Sequence, residues 1–144
     1  MRKFNVVIAS DHSGYILKDK IIKHLNSVNI LVEDLGPTTE RMVDYPDYAA
    51  KVVDALLEEI APLGILICGT GIGMSIAANR RSKIRAALCA NLFMAERARS
   101  HNDANILVLG SKITDEKLAL SMVDKFLNTP FEGGRHSTRL SKLS

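Results

Sequence analysis

The sequence has little cysteine, and it lacks both a long apolar run and a concentrated run of basic charge. Cys68 and Cys89 both lie inside apolar segments, so a secreted domain framed by disulfides is not expected. No window is long enough to span a bilayer, and the first apolar run stops at Ser10, too early for the core of a signal peptide. These absences predict a cytoplasmic protein without a membrane partner.

The charge is modest and scattered. The formal net charge is +3, with no basic stretch, so nucleic acid is not an expected partner. A small positive excess suits a small anionic ligand instead. With 47% apolar residues, the 144 residues are enough for one domain with one core. We expect that domain to span residues 1–144, with a C-terminal extension at 129–144.

Short β-branched runs alternate with longer amphipathic segments. We predict five strands, at Phe4–Ala9, Ile30–Val32, Ile65–Cys68, Ile84–Cys89 and Ile106–Leu109. Their apolar character indicates strands covered on both faces, as in a parallel sheet. We predict five helices, at Ile16–Val28, Pro46–Ile60, Gly73–Arg80, Leu92–Ser100 and Asp115–Leu127, the last after a Thr114 cap. The predicted fold is a three-layer αβα Rossmann-like domain with a short helix in its tail.

Three predicted strands end in residues suited to chemistry, at the sheet edge where such folds bind ligands. The first leads into Asp11 and His12, the third into Cys68 and the glycine loop Gly69–Gly73, and the fifth into Lys112. The alternate glycines let backbone N–H groups approach an oxyanion. The alternatives are a tight turn or a dinucleotide loop. A dinucleotide site would need this loop after the first strand, so no nicotinamide cofactor is expected.

Cys68 directly precedes the glycine loop, where oriented N–H groups and a helix N-terminus would stabilise a thiolate. Cysteines in strands are usually inert small hydrophobic residues, which is our interpretation of Cys89. Position alone leaves both a chemical and a packing role open for Cys68.

The remaining candidates also have structural alternatives. Asp11–His12 can face a substrate or cap a helix, and His101–Asn102 can be a proton donor with an orienting amide or an ordinary helix end. Arg135 and Arg139 lie four apart, so in a helix both would point to one side, as a phosphate requires, unless they are solvated surface residues. No cysteine or histidine pair has a metal-ligand spacing, so no metal site is expected.

Five segments, in order along the chain, resemble type B ribose-5-phosphate isomerases. They are SDHSGYILK near the start, VDYPDYA at Val43–Ala49, ICGTGIGMSIAANR at Ile67–Arg80, RSHNDANILVLGSK at Arg99–Lys112 and FEGGRHSTR at Phe131–Arg139. The resemblance implies a parallel sheet of order 2-1-3-5-4 and an enzyme that interconverts ribose 5-phosphate and ribulose 5-phosphate through a cis-enediolate, without metal or organic cofactor. Galactose-6-phosphate isomerase subunits share the superfamily, so galactose 6-phosphate and allose 6-phosphate are alternative substrates.

The resemblance also implies roles for the candidate residues. Cys68 would move the proton between C2 and C1, with Thr70 assisting proton exchange between the oxygens, while His101 would open the sugar ring with help from Asp11. The enediolate oxygens would be held by backbone N–H groups of Gly69, Thr70, Gly71, Ile72 and Gly73. Substrate would also contact His12, Tyr45, Asn102, Lys112, Arg135 and Arg139, the two arginines binding the phosphate.

Two positions distinguish this chain within the family. One branch has a glutamate base just after the glycine loop, where this chain has Met74, so Cys68 is the only candidate base. Many relatives have arginine where this chain has Lys112, which keeps a cation but loses bidentate geometry.

Strand direction predicts that each site is built from two chains. Asp11 and Cys68 lie at the carboxyl ends of their strands, whereas His101 follows a helix of roughly ten residues, about 15 Å long, and precedes the fifth strand. His101 and the C-terminal extension with Arg135 and Arg139 should therefore lie at the opposite edge of the sheet. An antiparallel two-fold dimer would bring the two edges together, and the resemblance likewise implies a homodimer or a pair of dimers.

Two other classes remain as alternatives. A non-enzymatic phospho-receiver module also has five βα units, acids after its first strand and a lysine after its fifth, but its phosphorylated aspartate would stand where this chain has Cys68. A redox-sensing thiol domain would need a resolving cysteine, and none lies near Cys68 in the sequence.

Overall fold

The computed structural model describes residues 3–143. Within that range one parallel sheet contains β1 (Val6–Ser10), β2 (Val32–Asp34), β3 (Leu63–Cys68), β4 (Ala86–Leu88) and β5 (Ile106–Gly110). Its strand order is β2-β1-β3-β5-β4, which confirms the expected topology. We call the edge formed by the carboxyl ends of the strands the upper edge, and the opposite edge the lower edge.

Helices cover both faces of the sheet. They are α1 (Tyr15–Ser27), α2 (Tyr45–Leu57), α3 (Ile72–Ala78), α4 (Leu92–Ser100), α5 (Glu116–Asn128) and α6 (Arg135–Leu140), and a short 3-10 turn at His12–Gly14 leads into α1. Helices α1, α4 and α5 pack on one face, whereas α2 and α3 pack on the other. This arrangement is the predicted three-layer αβα fold. None of the described helices has the length and apolar character needed to cross a membrane.

The central strands bury the side chains of both faces. In β1, Val6 and Ile8 join the core beneath α1 and α5, while Val7 and Ala9 join the core beneath α2 and α3. The near-continuous apolar runs follow from this two-sided burial, because neither face of these strands meets water. Cys68 belongs to the core on the α2 and α3 side.

The outer strands differ from the prediction. The predicted bounds of the second strand, Ile30–Val32, are wrong, since β2 lies at Val32–Asp34, and β4 is shorter than expected. β2 is an edge strand that is only partly buried, so apolar content does not mark its limits. Its last residue, Asp34, accepts hydrogen bonds from the buried Lys18 ammonium group at 2.8 and 2.9 Å.

The Thr114 cap is also a wrong prediction. The N-cap of α5 is Asp115, whose carboxylate accepts a hydrogen bond from the Leu118 N–H at 2.8 Å. A carboxylate at this position satisfies a free N–H group and interacts well with the helix dipole. The side chain of Thr114 is instead buried.

Candidate active site

Backbone hydrogen bonds join the loops of the upper edge. The Asp11 N–H donates to the Ile67 carbonyl at 3.1 Å, and the Ser111 N–H donates to the Cys68 carbonyl at 2.9 Å. The Ser111 hydroxyl also donates to the Ser13 carbonyl at 2.8 Å. The segments that follow β1, β3 and β5 therefore form one surface, with Cys68 in the central strand of the three.

The Cys68 sulfur faces the glycine loop. The side chain is 5% exposed, and its Sγ accepts a hydrogen bond from the Gly71 N–H at 3.1 Å. Gly71 has a φ of +83°, and a Cβ atom there would lie 2.4 Å from Leu88 Cδ1. Only glycine fits this backbone, so the loop that holds the sulfur depends on Gly71.

Cys89 has different surroundings. It is buried in the core with Ala95 and Ala98, and its Sγ lies 3.6 Å from the Ala87 carbonyl oxygen. Burial raises the pKa of the Cys89 thiol to about 11. The thiol is therefore protonated at neutral pH, which agrees with the interpretation of Cys89 as an inert core residue.

The other end of the glycine loop packs closely against its neighbours. A Cβ atom on Gly73 would lie 2.6 Å from the Tyr45 ring, so that ring covers the start of α3. The Thr70 side chain is exposed, and its Oγ1 accepts a hydrogen bond from the Ile72 N–H at 3.2 Å. Met74 is fully buried. The only polar side chain of this loop is consequently the Thr70 hydroxyl, and its other hydrogen-bond donors are backbone N–H groups.

Asp11 and His12 both accept structural hydrogen bonds from backbone N–H groups. The Asp11 carboxylate accepts a hydrogen bond from the Gly14 N–H at 3.1 Å, as a cap. His12 Nδ1 accepts one from the Val43 N–H at 3.2 Å, so the neutral ring carries its proton on Nε2. The capping alternative is thus observed for Asp11, and the carboxylate lies at the upper edge.

Lys112 lies over the glycine loop. Its Cδ is 3.7 Å from where a Cβ of Gly69 would stand, and its N–H donates to the Gly69 carbonyl at 2.9 Å. The side chain is exposed. Its ammonium group is therefore available to an anion at the upper edge.

His101 and Asn102 lie at the lower edge, not beside Cys68 of the same chain. They follow α4 and precede β5. The pairing of Cys68 with Gly110 and of Gly64 with Ile106 puts the length of β5, about 13 Å, between the two edges. The structure brings Tyr45 and Lys112 to the glycine loop and Asp11 and His12 to the same edge of the sheet, but it separates His101 from them.

The tail returns to the same lower edge. The Glu132 N–H donates to the Ser100 carbonyl at 3.0 Å, and the rings of His101 and His136 stack with centroids 4.1 Å apart and planes inclined by 19°. Arg135 and Arg139 are exposed on α6, and neither guanidinium forms a salt bridge within residues 3–143. Two unpaired cations thus lie on the helix that carries His136.

Glu132 and His136 are site neighbours that sequence reasoning missed. His136 is 3% exposed, and its Nε2 lies 3.6 Å from Glu132 Oε1. Burial lowers the pKa of His136 below its ordinary 6.5, and the charges of His101, Arg135 and Arg139 lower it further, against the opposing effect of Glu132. In the sequence, the four-residue spacing of Glu132 and His136 could have indicated that these two side chains lie close together.

The whole chain is similar to known sugar phosphate isomerases. Residues 6–143 match the family described as Ribose/Galactose Isomerase. Ribose-5-phosphate isomerase B of Escherichia coli is 41% identical, over 96% of this chain and 93% of that protein.

Solved structures agree with this match. A ribose 5-phosphate isomerase from Thermotoga maritima has 54% identity and a TM-score of 0.95, covering 99% of this chain and 98% of that one. Ribose-5-phosphate isomerase B from Mycoplasma genitalium with bound ribulose 5-phosphate has 43% identity and a TM-score of 0.93, covering 99% and 95%. Sequence and fold agree along almost the full length, and the chain belongs to the Ribose/Galactose Isomerase family.

Proposed function

We propose that this chain is a ribose-5-phosphate isomerase, which interconverts D-ribose 5-phosphate and D-ribulose 5-phosphate through a cis-enediolate. The observation that carries this proposal is the Cys68 sulfur, held 3.1 Å from the nitrogen of Gly71 in the middle of the glycine loop. Cys68 can then move a proton between two carbon atoms of the substrate, while N–H groups of the glycine loop donate hydrogen bonds to the oxygen atoms on those carbons. Neither a metal ion nor an organic cofactor is needed for this proton transfer.

The proton transfer uses the upper edge. Cys68, as thiolate, takes the proton from C2 of the open-chain aldose and returns it to C1, while the oxygen atoms exchange their proton with help from Thr70. Backbone N–H groups of Gly69–Gly73 stabilise the negative charge that develops on those oxygens. Met74 is buried and has no basic group, so Cys68 has no substitute.

Ring opening and phosphate binding use both edges. His101 acts as acid and base in opening the furanose ring, assisted by Asp11. Arg135 and Arg139 bind the phosphate, since guanidinium groups form charge-assisted hydrogen bonds with its oxygens. The remaining contacts to the substrate come from His12, Tyr45, Asn102 and Lys112.

The separation of the two edges supports a homodimer with shared sites. The chain carries exposed apolar side chains on α3 and α4, including Ile72 at 55%, Ile76 at 56% and Phe93 at 65% exposure, and such side chains are suited to a buried interface. An antiparallel two-fold dimer would place one chain's His101 and α6 over its partner's Cys68. A pair of these dimers is the larger assembly that we consider.

We place this activity in the cytoplasm and in the pentose phosphate pathway. Cys68 and Cys89 are both free thiols, which suits a reducing compartment. A pentose phosphate is the substrate of that pathway.

The test is an isomerisation assay with the purified protein. Ketose formation from ribose 5-phosphate, without added metal or cofactor, is the expected result, and free ribose should react slower by orders of magnitude because it lacks the phosphate. Allose 6-phosphate and galactose 6-phosphate serve as competing substrates, the latter because the family includes galactose isomerases. If a hexose phosphate had the higher kcat/KM, it would replace ribose 5-phosphate as the proposed substrate. If no sugar phosphate were turned over, the proposed isomerase activity would be refuted.

A further inference from the structure

Three potential metal ligands converge at the lower edge. One ligand atom each from His101, Glu132 and His136 lies within 4.8 Å of the others. Glu132 Oε1 is 4.0 Å from His101 Nε2 and 3.6 Å from His136 Nε2. None of these pairs is within hydrogen-bond distance.

The donor set matches a specific class of ion. Two imidazole nitrogens and one carboxylate oxygen form a known zinc ligand set, and tetrahedral Zn²⁺ with bonds of about 2.1 Å places its ligands roughly 3.4 Å apart. The distances from Glu132 Oε1 to the two ring nitrogens, 4.0 and 3.6 Å, are slightly longer than this spacing. Small rotations of the side chains would bring the three ligand atoms to the spacing that zinc requires. Glu132 is exposed, so its carboxylate can turn. An ion can enter the cluster from the side on which Glu132 lies.

A second observation points to a missing partner. His136 Nε2 is buried and has no hydrogen-bond partner among the described residues, although it faces the Glu132 carboxylate. A buried polar atom without a partner is unusual in a native protein and calls for an explanation. A cation bound between the nitrogen and the carboxylate would supply that partner.

We propose that His101, Glu132 and His136 form an inhibitory binding site for Zn²⁺. The stacked rings are nearly parallel, so the less buried His101 must turn for its Nε2 to reach the same ion as His136. A metal-bound His101 can neither donate nor accept a proton at Nε2, and ring opening stops. The inhibitory effect rests on the proposed function of His101, whereas the binding site does not.

Binding is tested first, without substrate. Zn²⁺ is titrated calorimetrically, and Co²⁺ is followed by its visible absorption, in the wild type and in Cys68→Ala, which removes the thiol near the glycine loop. Both proteins should bind one ion per chain with equal affinity. Glu132→Gln and His136→Gln should each weaken binding about tenfold or more.

A matched control is available in the His24–Asp124 pair, where the ring nitrogen and carboxylate lie 2.8 Å apart and residues 3–143 supply no third ligand. Asp124→Asn should leave Zn²⁺ affinity unchanged. Unchanged affinity in Glu132→Gln, or loss of binding in Cys68→Ala, would overturn the site. Because Glu132 is exposed, this variant remains informative even if His136→Gln fails to fold.

Inhibition is tested second. Zn²⁺ should abolish ribose 5-phosphate isomerisation at the concentration that fills the site, a chelator should restore it, and Glu132→Gln should need about tenfold more Zn²⁺ for the same inhibition. Full activity with the site occupied would overturn the inhibitory role. Correct binding in a protein without isomerase activity would leave the site standing and would refute the proposed function instead.

Discussion

The two cysteines differ in what surrounds their sulfur atoms. Both lie at the carboxyl end of an apolar strand segment, so the strand pattern does not distinguish them. The glycine loop after Cys68 does, because it supplies the N–H group that donates to the sulfur. The high pKa of Cys89, about 11, depends on tertiary burial, which no local sequence pattern encodes.

Cys68→Ala should remove isomerase activity while leaving the fold intact, because the side chain is small and position 74 holds a methionine and not a second base. Loss of a general base typically lowers the rate by about 10²–10⁴. Steady-state kinetics measure the loss, and circular dichroism checks the fold. Cys89→Ala is the matched control and should retain activity. If Cys68→Ala kept more than about a tenth of wild-type activity, Cys68 would not be the base.

His136 should make stability depend on pH. Its pKa is below 6.5 in the folded protein, so the unfolded chain binds the proton more readily. Neutral His136 therefore favours the folded state. Its contribution to folding stability is complete above the unfolded pKa of 6.5 and is lost as the pH falls through the lower folded pKa. Urea unfolding between about pH 7.5 and 5 should show a decline that is shallower in His136→Gln. Parallel curves for the two proteins would exclude His136 as the cause.

At the scale of elements, the buried strands were predictable and the edge strands were not. β1, β3 and β5 lie between two layers of helices, so their apolar runs mark them clearly. β2 and β4 lie at the sheet edges. β2 is displaced from its apolar run toward the acidic residues that follow it, and β4 is shorter than its run. The spacing of the glycine loop was visible in the sequence, but its contact with β5 is a long-range feature.

That contact predicts a difference between two glycines. A Cβ atom on Gly110 would lie 2.6 Å from the Thr70 carbonyl oxygen, whereas the nearest atom to a Cβ on Gly69 is the Lys112 Cδ, 3.7 Å away. Gly110→Ala should therefore lower the free energy of unfolding by about 1–3 kcal/mol, and Gly69→Ala by about 0.5 kcal/mol or less. Urea denaturation measures both. Equal losses would mean that the loop can move away from β5 without cost.

Helix α6 should determine the affinity for phosphate. Arg135→Ala and Arg139→Ala should each raise the KM for ribose 5-phosphate, roughly ten- to a hundredfold, because each removes a charge-assisted hydrogen bond. Lys142→Ala is the control, since this exposed cation lies just beyond α6. If all three variants shared the wild-type KM, the phosphate site would lie elsewhere.

At the scale of the whole molecule, strand direction predicted where the site residues lie before any contact was known. A parallel sheet fixes which loops share an edge, so Asp11 and Cys68 had to lie at one edge and His101 at the other. The stacking of His136 on His101 was not predictable, because it depends on how the tail returns across α4. The proposed assembly follows from this separation of edges.

Mixed dimers should therefore recover activity from two inactive chains. Cys68→Ala lacks the proposed base and His101→Ala lacks the proposed ring-opening group, so each homodimer should be inactive. Random assortment on co-refolding makes about half of the dimers mixed, and each mixed dimer has one intact site, so about a quarter of wild-type activity should return. Chains with different affinity tags allow the mixed dimers to be isolated and assayed, and refolding each variant alone is the control. Mixed dimers without activity would place Cys68 and His101 of one chain in the same site, which the length of β5 argues against.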